Sequence, residues 1–156
     1  IAIALCCAPS LVIADEPTTA LDVTIEAQIL DLIREEQKKN GLSVIMITHD
    51  LGVVSEITDT VIIMYAGQIV EHASTAEIIN NPKHPYTKGL LQSRPQIGQK
   101  DQLVPIEGMV PNLTNLPEGC YFAPRCSQAE DICYQQSPPT FILSSDQSVK
   151  CWLYNE

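Results

Sequence analysis

Two adjacent acids end an apolar run near the start of the chain. The stretch LVIADEPTTALD spans residues 11–22 and places Asp15 and Glu16 directly after the run. In open α/β sheets, ligands bind at the edge where parallel strands end. A carboxylate at that edge can hold Mg²⁺ on a nucleotide, and a second acid can take a proton from an attacking water. Alone, the two acids are a weak signal, because a solvated turn explains them about as well.

A histidine follows the next apolar run. The segment SVIMITHD, residues 43–50, is typical of a second buried strand and ends at His49. If the two strands are neighbours, His49 shares an edge with Asp15 and Glu16. An imidazole there can hydrogen-bond a terminal phosphate and position the water. A lone histidine at a strand end is more often a surface or capping residue, and the nearby acids favour the chemical interpretation.

Six cysteines occur in the chain, and four of them lie near its end. Cys120, Cys126, Cys133 and Cys151 follow the spacing C-x5-C-x6-C-x17-C, which matches neither zinc-ribbon pairs nor common ferredoxin runs. Chemistry alone leaves three alternatives: two disulfides, a metal site or free thiols. Four thiolates can hold zinc or an iron–sulfur cluster, and a small segment would gain folding energy from it. Cys6 and Cys7, in the apolar opening, are predicted to be small core residues.

The elements that must position these residues alternate between helices and strands. The pattern predicts the end of a buried helix over 1–8, a strand over 10–15, a helix over 23–39, a strand over 42–50 and a short helix over 51–57. It then predicts a hairpin over 59–73 that turns at 66–68, a capped helix through 79 and another short helix within 81–93, with Pro85 in its first turn. This order predicts a parallel α/β layer. After about residue 93, prolines and glycines recur, which predicts a linker and a small loop-rich appendage. The predicted domains are residues 1–92 and 93–156.

Composition limits the classes of partner. Of 156 residues, 45% are hydrophobic and the formal net charge is −10, with no Lys/Arg cluster, so binding to nucleic acid or anionic lipid is disfavoured. The longest apolar stretch is interrupted at Pro9 and ends at Asp15, so it is too short to span a membrane. No basic region precedes it, which argues against a signal peptide. The chain begins at Ile1 inside an apolar segment, so we expect the start of the protein to be missing.

Three segments resemble the ATPases of ABC transporters. LVIADEPTTALD resembles their Walker B segment and D-loop, SVIMITHDLGVVSEITDTVIIMYAGQIVEHAS resembles their switch-histidine region, and IAIAL resembles the tail of the helix that begins at their signature loop. The resemblance implies an α/β fold, the carboxyl-terminal part of a P-loop ATPase domain with parallel strands and flanking helices, plus a small cysteine-containing extension. It implies that Asp15 handles Mg²⁺, that Glu16 is the general base and that His49 senses the γ-phosphate of ATP. It also implies that Thr19 to Asp22 form the loop that crosses to a partner ATPase, with Asp22 as a nucleotide-binding residue.

The second half resembles a narrower group within that family. NPKHPYTKGLLQS resembles a segment of the ATPases of oligopeptide, dipeptide and nickel importers, and its His84 is predicted to be an exposed structural residue. The cysteine spacing resembles that of their carboxyl-terminal extension, in which some members hold a [4Fe–4S] cluster. The resemblance implies a cluster on Cys120, Cys126, Cys133 and Cys151, with Zn²⁺ as the alternative. It implies a second ATPase subunit, identical or sister, two membrane permeases, an extracytoplasmic peptide-binding protein and a peripheral location at the cytoplasmic face of the membrane.

Two sequence motifs of such ATPases are absent from this sequence. It contains neither G-x-x-x-x-G-K-[ST] nor an LSGGQ-like loop, so the chain alone is not expected to bind ATP tightly or hydrolyse it. From the resemblance, the leading interpretation is that the chain is part of an ATPase that powers peptide import. The alternative is a metal-stapled regulatory or interaction module without catalysis of its own. An ABC protein outside transport is a weaker option, because the HPYT and cysteine segments argue against it.

Overall fold

The computed structural model describes residues 2–93 and 105–155, so part of the predicted linker, residues 94–104, lies outside the described residues. The chain forms two compact units, Ile1–Ile57 and Thr58–Glu156. Among the described helices, none has the length and apolar character needed to cross a bilayer.

The first unit is a strand–helix–strand layer. It comprises α1 (Ala2–Leu5), β1 (Leu11–Asp15), α2 (Val23–Asn40), β2 (Ser43–Ile47) and α3 (Leu51–Ile57). Strands β1 and β2 pair in parallel, with Leu11 opposite Ser43 and Asp15 opposite Ile47. The predicted order of elements and the predicted parallel pairing are thus confirmed.

Local sequence fixes the limits of α2. Asp22 accepts the first free backbone N–H groups, and Gly41 ends the helix with a φ of 66°, a conformation that favours glycine. Lys38 and Lys39 in the last turn suit the negative end of the helix dipole. Leu30 and Ile33 are the buried residues of this helix. The helix therefore presents one narrow apolar stripe.

The predicted burial of the first unit is wrong in two places. The outward residues of β1 and β2 are about half exposed, at 48% for Leu11, 64% for Ile13, 50% for Ile45 and 49% for Ile47. Successive strand residues point to opposite faces, and Val12 of β1 and Val44 of β2 line a cavity of about 160 Å³ together with Ile33 of α2. The other face of the two-stranded sheet has no covering helix among the described residues of this unit.

The opening segment is also more exposed than predicted. Helix α1 has four residues, Ile3 is 90% exposed, and Cys6 and Cys7 are both exposed rather than core residues. Only Ala4 and Leu5 of this helix line the cavity against β1. A helix of one turn has too little surface to bury its neighbours as well.

The second unit is built on an antiparallel sheet. Its elements are β3 (Thr60–Tyr65), β4 (Gln68–Ser74), α4 (Thr75–Asn80), α5 (Pro85–Gln92), α6 (Asp131–Gln135), β5 (Phe141–Ser144) and β6 (Gln147–Val149). Short 3₁₀ turns cover Ala123–Arg125 and Trp152–Tyr154. The strand order is β3-β4-β6-β5, and every neighbouring pair is antiparallel.

The hairpin of β3 and β4 is confirmed. The chain turns at Ala66 and Gly67, which have φ values of 47° and 81°. The residues after 105 add two strands to the hairpin's sheet, because β6 pairs with β4, Glu71 opposite Val149, and with β5. Most of the other described residues in this segment are loops and turns. The functional boundary near residue 92 stays a prediction.

Aromatic side chains form the core of the second unit. The ring centres of Tyr65 and Tyr86 lie 4.7 Å apart, and Phe122 lies 5.2 Å from Tyr65 and 5.4 Å from Tyr86. His84 joins this cluster, 5.7 Å from Phe122, and is only 1% exposed. The prediction that His84 is exposed is wrong, because its ring caps α5 from inside: Nδ1 accepts the N–H of Tyr86.

Candidate functional site

The predicted acid and histidine residues meet at one edge of the parallel sheet. Asp15 ends β1, and the Glu16 N–H continues the ladder by donating to the carbonyl of Ile47 at 2.8 Å. His49 lies two residues beyond β2, and its Nδ1 is 3.1 Å from Glu16 Oε1. The parallel register therefore places a carboxylate against an imidazole, as the sequence predicted.

Glu16 is held in an unusual backbone conformation. Its φ is 45°, in the left-handed region that costs a non-glycine residue energy. Such strain is found most often at functional positions. Here a turn maintains it, because the Thr19 N–H donates to the Glu16 carbonyl at 3.2 Å.

The same turn brings a hydroxyl to the acid. Thr19 Oγ1 donates to Glu16 Oε2 at 2.9 Å, while Oε1 faces His49. The Thr19 hydroxyl first, and the His49 ring second, lower the pKa of Glu16 below its ordinary value. Glu16 is thus ionised at neutral pH, which is the state that a base requires. From the sequence, Thr19 was placed in the loop toward a partner ATPase, and its contact with Glu16 was not predicted.

Asp15 differs from Glu16 in having free oxygens. Its side chain is exposed and accepts no hydrogen bond from any residue that the structure describes. Exposed carboxylate oxygens at a strand end are the ligands that Mg²⁺ prefers. The arrangement therefore fits the predicted Mg²⁺ contact.

Asp22 has a structural task that the sequence interpretation did not assign. Its Oδ1 accepts the backbone N–H groups of Thr24 and Ile25, both at 3.0 Å. This is the usual arrangement of a helix N-cap. A contact of Asp22 with a nucleotide stays a prediction.

The segment after His49 is closed by its own side chains. Thr48 Oγ1 accepts the N–H of Asp50 at 3.0 Å, and Asp50 Oδ1 accepts the N–H of Gly52 at 2.6 Å. These bonds set the start of α3 directly after the histidine. They fix the backbone on either side of His49 and leave its ring 78% exposed at the sheet edge.

The four late cysteines converge in the second unit. All four line one cavity of about 10 Å³, whose walls include Phe122 and Trp152. None forms a disulfide, and the Cys120 N–H donates to the Cys133 carbonyl at 2.7 Å. Burial raises the pKa of the Cys120 and Cys126 thiols, and it raises that of Cys151 to about 11. The thiols of Cys120, Cys126 and Cys151 are therefore protonated at neutral pH.

The predicted metal centre is not confirmed. Within residues 2–93 and 105–155, no group of three or more His, Cys, Asp or Glu side chains is placed to hold a metal ion. The cavity has about the volume that one water needs. The thiols face a common space but do not close around a single ion.

Comparison with known proteins finds similarity to ATP-binding proteins of peptide transport. Residues 70–133 match the family described as "Oligopeptide/dipeptide transporter, C-terminal region". The chain is 54% identical over its whole length to the oligopeptide transport ATP-binding protein AppD of Bacillus subtilis, of which it covers 48%. It is 50% identical over its whole length to the dipeptide transport ATP-binding protein DppD of the same organism, covering 47%.

A relative from another organism agrees. Over 97% of its length, the chain is 48% identical to the probable D,D-dipeptide transport ATP-binding protein DdpD of Escherichia coli, covering 47% of that protein. The chain thus spans about half the length of the curated relatives that it matches. Its sequence is therefore similar to part of these oligopeptide and dipeptide transport ATP-binding proteins, including their C-terminal region.

Proposed function

We propose that this chain supplies the carboxyl-terminal part of an ATP-hydrolysing subunit that powers peptide import across the cytoplasmic membrane. The observation that carries the proposal is the 3.1 Å contact between Glu16 and His49 at the end of two parallel strands. Beside it lies Asp15, whose carboxylate accepts no hydrogen bond from the described residues. The relatives named above are ATP-binding proteins of peptide transport, which supports the same conclusion.

The residues take distinct roles in the proposed reaction. Water attacks the γ-phosphorus, a new P–O bond forms, and the bond to the bridging oxygen breaks with its electrons leaving on ADP. Glu16 accepts the proton of the attacking water. Asp15 would hold Mg²⁺, which when bound neutralises charge on the phosphates. His49 keeps Nδ1 toward Glu16 and has Nε2 free to face the γ-phosphate.

The proposed ATPase also needs a phosphate-binding loop and partner subunits that this sequence does not supply. A phosphate cradle of the form G-x-x-x-x-G-K-[ST] is not present in these residues, so the chain alone is proposed to be inactive. In the assembled importer, the loop ending at Asp22 would face a second ATPase subunit, identical or sister. Two membrane permeases and an extracytoplasmic peptide-binding protein complete the proposed assembly. The subunit would lie peripherally at the cytoplasmic face of the membrane.

The substitution Glu16→Gln tests this function. In the full-length protein, with any sequence that precedes Ile1 included, we expect ATP binding to persist and turnover to fall by roughly 10²- to 10⁴-fold, the usual contribution of a general base. Glu35→Gln is the matched control, because Glu35 is exposed on α2 and makes no hydrogen bond among the described residues. Near-normal turnover in the Glu16 variant would refute the role of Glu16.

The shared cysteine cavity favours a second candidate function, a metal-stapled regulatory module. Four thiols are a donor set that fits a [4Fe–4S] cluster or Zn²⁺. Cys120, Cys126, Cys133 and Cys151 would hold it, and their protons would leave on binding. Since the described thiols do not close around one ion, the cavity would have to open.

Metal analysis tests this second candidate. Iron, acid-labile sulfide and zinc are measured per chain in protein purified without oxygen, for the wild type and for Cys126→Ser. About four irons and four sulfides indicate the cluster. Zinc alone indicates a staple without redox chemistry. A wild-type protein with free thiols and no metal would remove this candidate and leave the ATPase proposal untouched.

A further inference from the structure

We propose that Thr19 is a positioning residue for Glu16, whose hydroxyl fixes the orientation of the carboxylate that takes the proton from water. The inference rests on the proposed function above. It assigns no chemical step to Thr19, which neither gains nor loses a proton overall.

The geometry gives Glu16 two anchors from different parts of the unit. Oε1 faces His49, which follows β2, and Oε2 accepts from Thr19, which lies in the loop before α2. The last torsion of a glutamate is broad and only weakly restricted by its own chain. Two bonds to opposite oxygens restrict that rotation, and one bond alone leaves it freer.

The backbone places the hydroxyl for this contact. Glu16 and Ala20 both have positive φ values, 45° and 63°, on either side of the turn that the Thr19 N–H closes. Two non-glycine residues in the left-handed region make this a costly loop conformation. The turn that it creates returns Thr19 to the acid three residues earlier.

The exposure of Thr19 allows its hydroxyl to be removed without disturbing core packing. Thr18 is buried, at 7% exposed, whereas Thr19 is exposed. Removal of the Thr19 hydroxyl therefore leaves no cavity in the core. Thr24 is likewise exposed, and its hydroxyl makes no hydrogen bond among the described residues, so it serves as a matched control.

The first experiment needs only this chain. The Glu16 carboxyl is titrated by carbon-detected NMR in the wild type, Thr19→Val, Thr19→Ser and Thr24→Val. Because the Thr19 hydroxyl stabilises the ionised carboxylate, we expect the pKa of Glu16 to rise in Thr19→Val and to stay at the wild-type value in Thr19→Ser and Thr24→Val. An unchanged pKa in Thr19→Val would overturn the contact.

The second experiment uses ATP turnover of the full-length protein. We expect Thr19→Val to lower kcat by roughly 10- to 100-fold, the scale of a small misplacement of a reacting group, with little change in the KM for ATP. The acid limb of the pH–rate profile should move to higher pH, and Thr19→Ser should restore both. A merely structural role would not move the acid limb.

The outcomes separate this inference from the proposed function. If Glu16→Gln abolishes turnover while Thr19→Val keeps the wild-type rate and acid limb, the inference about Thr19 is wrong. If Glu16→Gln keeps turnover, the role of Glu16 is wrong and the positioning role falls with it. In that case the NMR result still decides whether the Thr19–Glu16 contact exists.

Discussion

The substitution Glu71→Gln tests how the segment before α5 is held. Glu71 lies on β4 and is 1% exposed. Its Oε1 accepts the N–H of Lys83 at 2.7 Å, and its Oε2 accepts the N–H of His84 at 2.9 Å. One buried carboxylate thus accepts two consecutive backbone N–H groups that lie between α4 and α5, outside any helix or strand.

The magnitude follows from the two bonds. Glutamine keeps one oxygen acceptor but turns its NH₂ group toward the other backbone N–H. The variant therefore loses one hydrogen bond to a charged acceptor, worth about 1.5–3 kcal/mol, and leaves a buried donor unsatisfied at about 1–3 kcal/mol. We expect a loss of about 3 kcal/mol in the free energy of unfolding, a large share of the ~5–15 kcal/mol of an ordinary domain.

Urea unfolding of the chain measures this loss. Trp152 is the single tryptophan and lies in the second unit, so its fluorescence reports on the unit that contains Glu71. We expect the midpoint to fall by roughly 1–3 M at an unchanged slope, because m is about 1–3 kcal/mol/M. Glu118→Gln is the control, since Glu118 is exposed and makes no hydrogen bond among the described residues. A loss below about 0.5 kcal/mol, or an equal loss in the control, would refute the reasoning.

Three further predictions concern Asp22, His84 and the cysteines. Asp22→Ala should destabilise the first unit by about 1 kcal/mol in thermal unfolding followed by circular dichroism, while Asp22→Asn keeps the cap and most of the stability; equal losses would argue against capping. Burial, with the charge of Lys88 second, lowers the pKa of His84 to about 4. The unfolded chain, with a pKa near 6.5, binds the proton more readily, so stability should fall by roughly 3 kcal/mol as pH drops from 6.5 to 4. His84→Asn retains a capping acceptor and should lose this pH dependence, as measured by urea unfolding at several pH values. If the free energy of unfolding of the variant still falls between pH 6.5 and 4, His84 is not the source of the dependence. Iodoacetamide at pH 8 should modify the exposed Cys6 and Cys7 faster than Cys151, because burial raises the pKa of the Cys151 thiol to about 11. Mass spectrometry of the peptides measures the rates, and equal rates would contradict the raised pKa.

The sheet edge could be predicted from sequence because it depends on local patterns. Two apolar runs separated by a helical repeat predict a parallel pair, and parallel strands end at the same edge. From this pattern alone, Glu16 and His49 are predicted to lie at the same sheet edge. It could not reach the Thr19 contact, which depends on the left-handed backbone of Glu16. A side-chain pattern does not report a backbone conformation that is unfavourable for its own residue.

Burial was harder to predict than pairing. Cys6 and Cys7 look like core residues by composition, yet exposure depends on whether a second layer covers them. His84 looks like a surface residue, yet Phe122 and the turn into α5 enclose it. Hydrophobic periodicity describes neither the missing cover over the two cysteines nor the contact of His84 with Phe122, which is distant in sequence.

The His-Pro-Tyr segment shows why the late residues matter beyond their cysteines. Glu71 holds the N–H groups of Lys83 and His84, while two later side chains hold neighbouring carbonyls. Gln147 Nε2 donates to the carbonyl of Asn81 at 3.4 Å, and the Tyr154 hydroxyl donates to that of Lys83 at 3.1 Å.

Both of these later donors lie beyond residue 133, where the match to the family ends. One is on β6, and the other is in the 3₁₀ turn that follows Cys151. The backbone of the His-Pro-Tyr segment is therefore held in part by side chains from β6 and from the final 3₁₀ turn. A truncation after residue 133 would retain the matched residues but remove two of the three side chains that hydrogen-bond the backbone of residues 81–84.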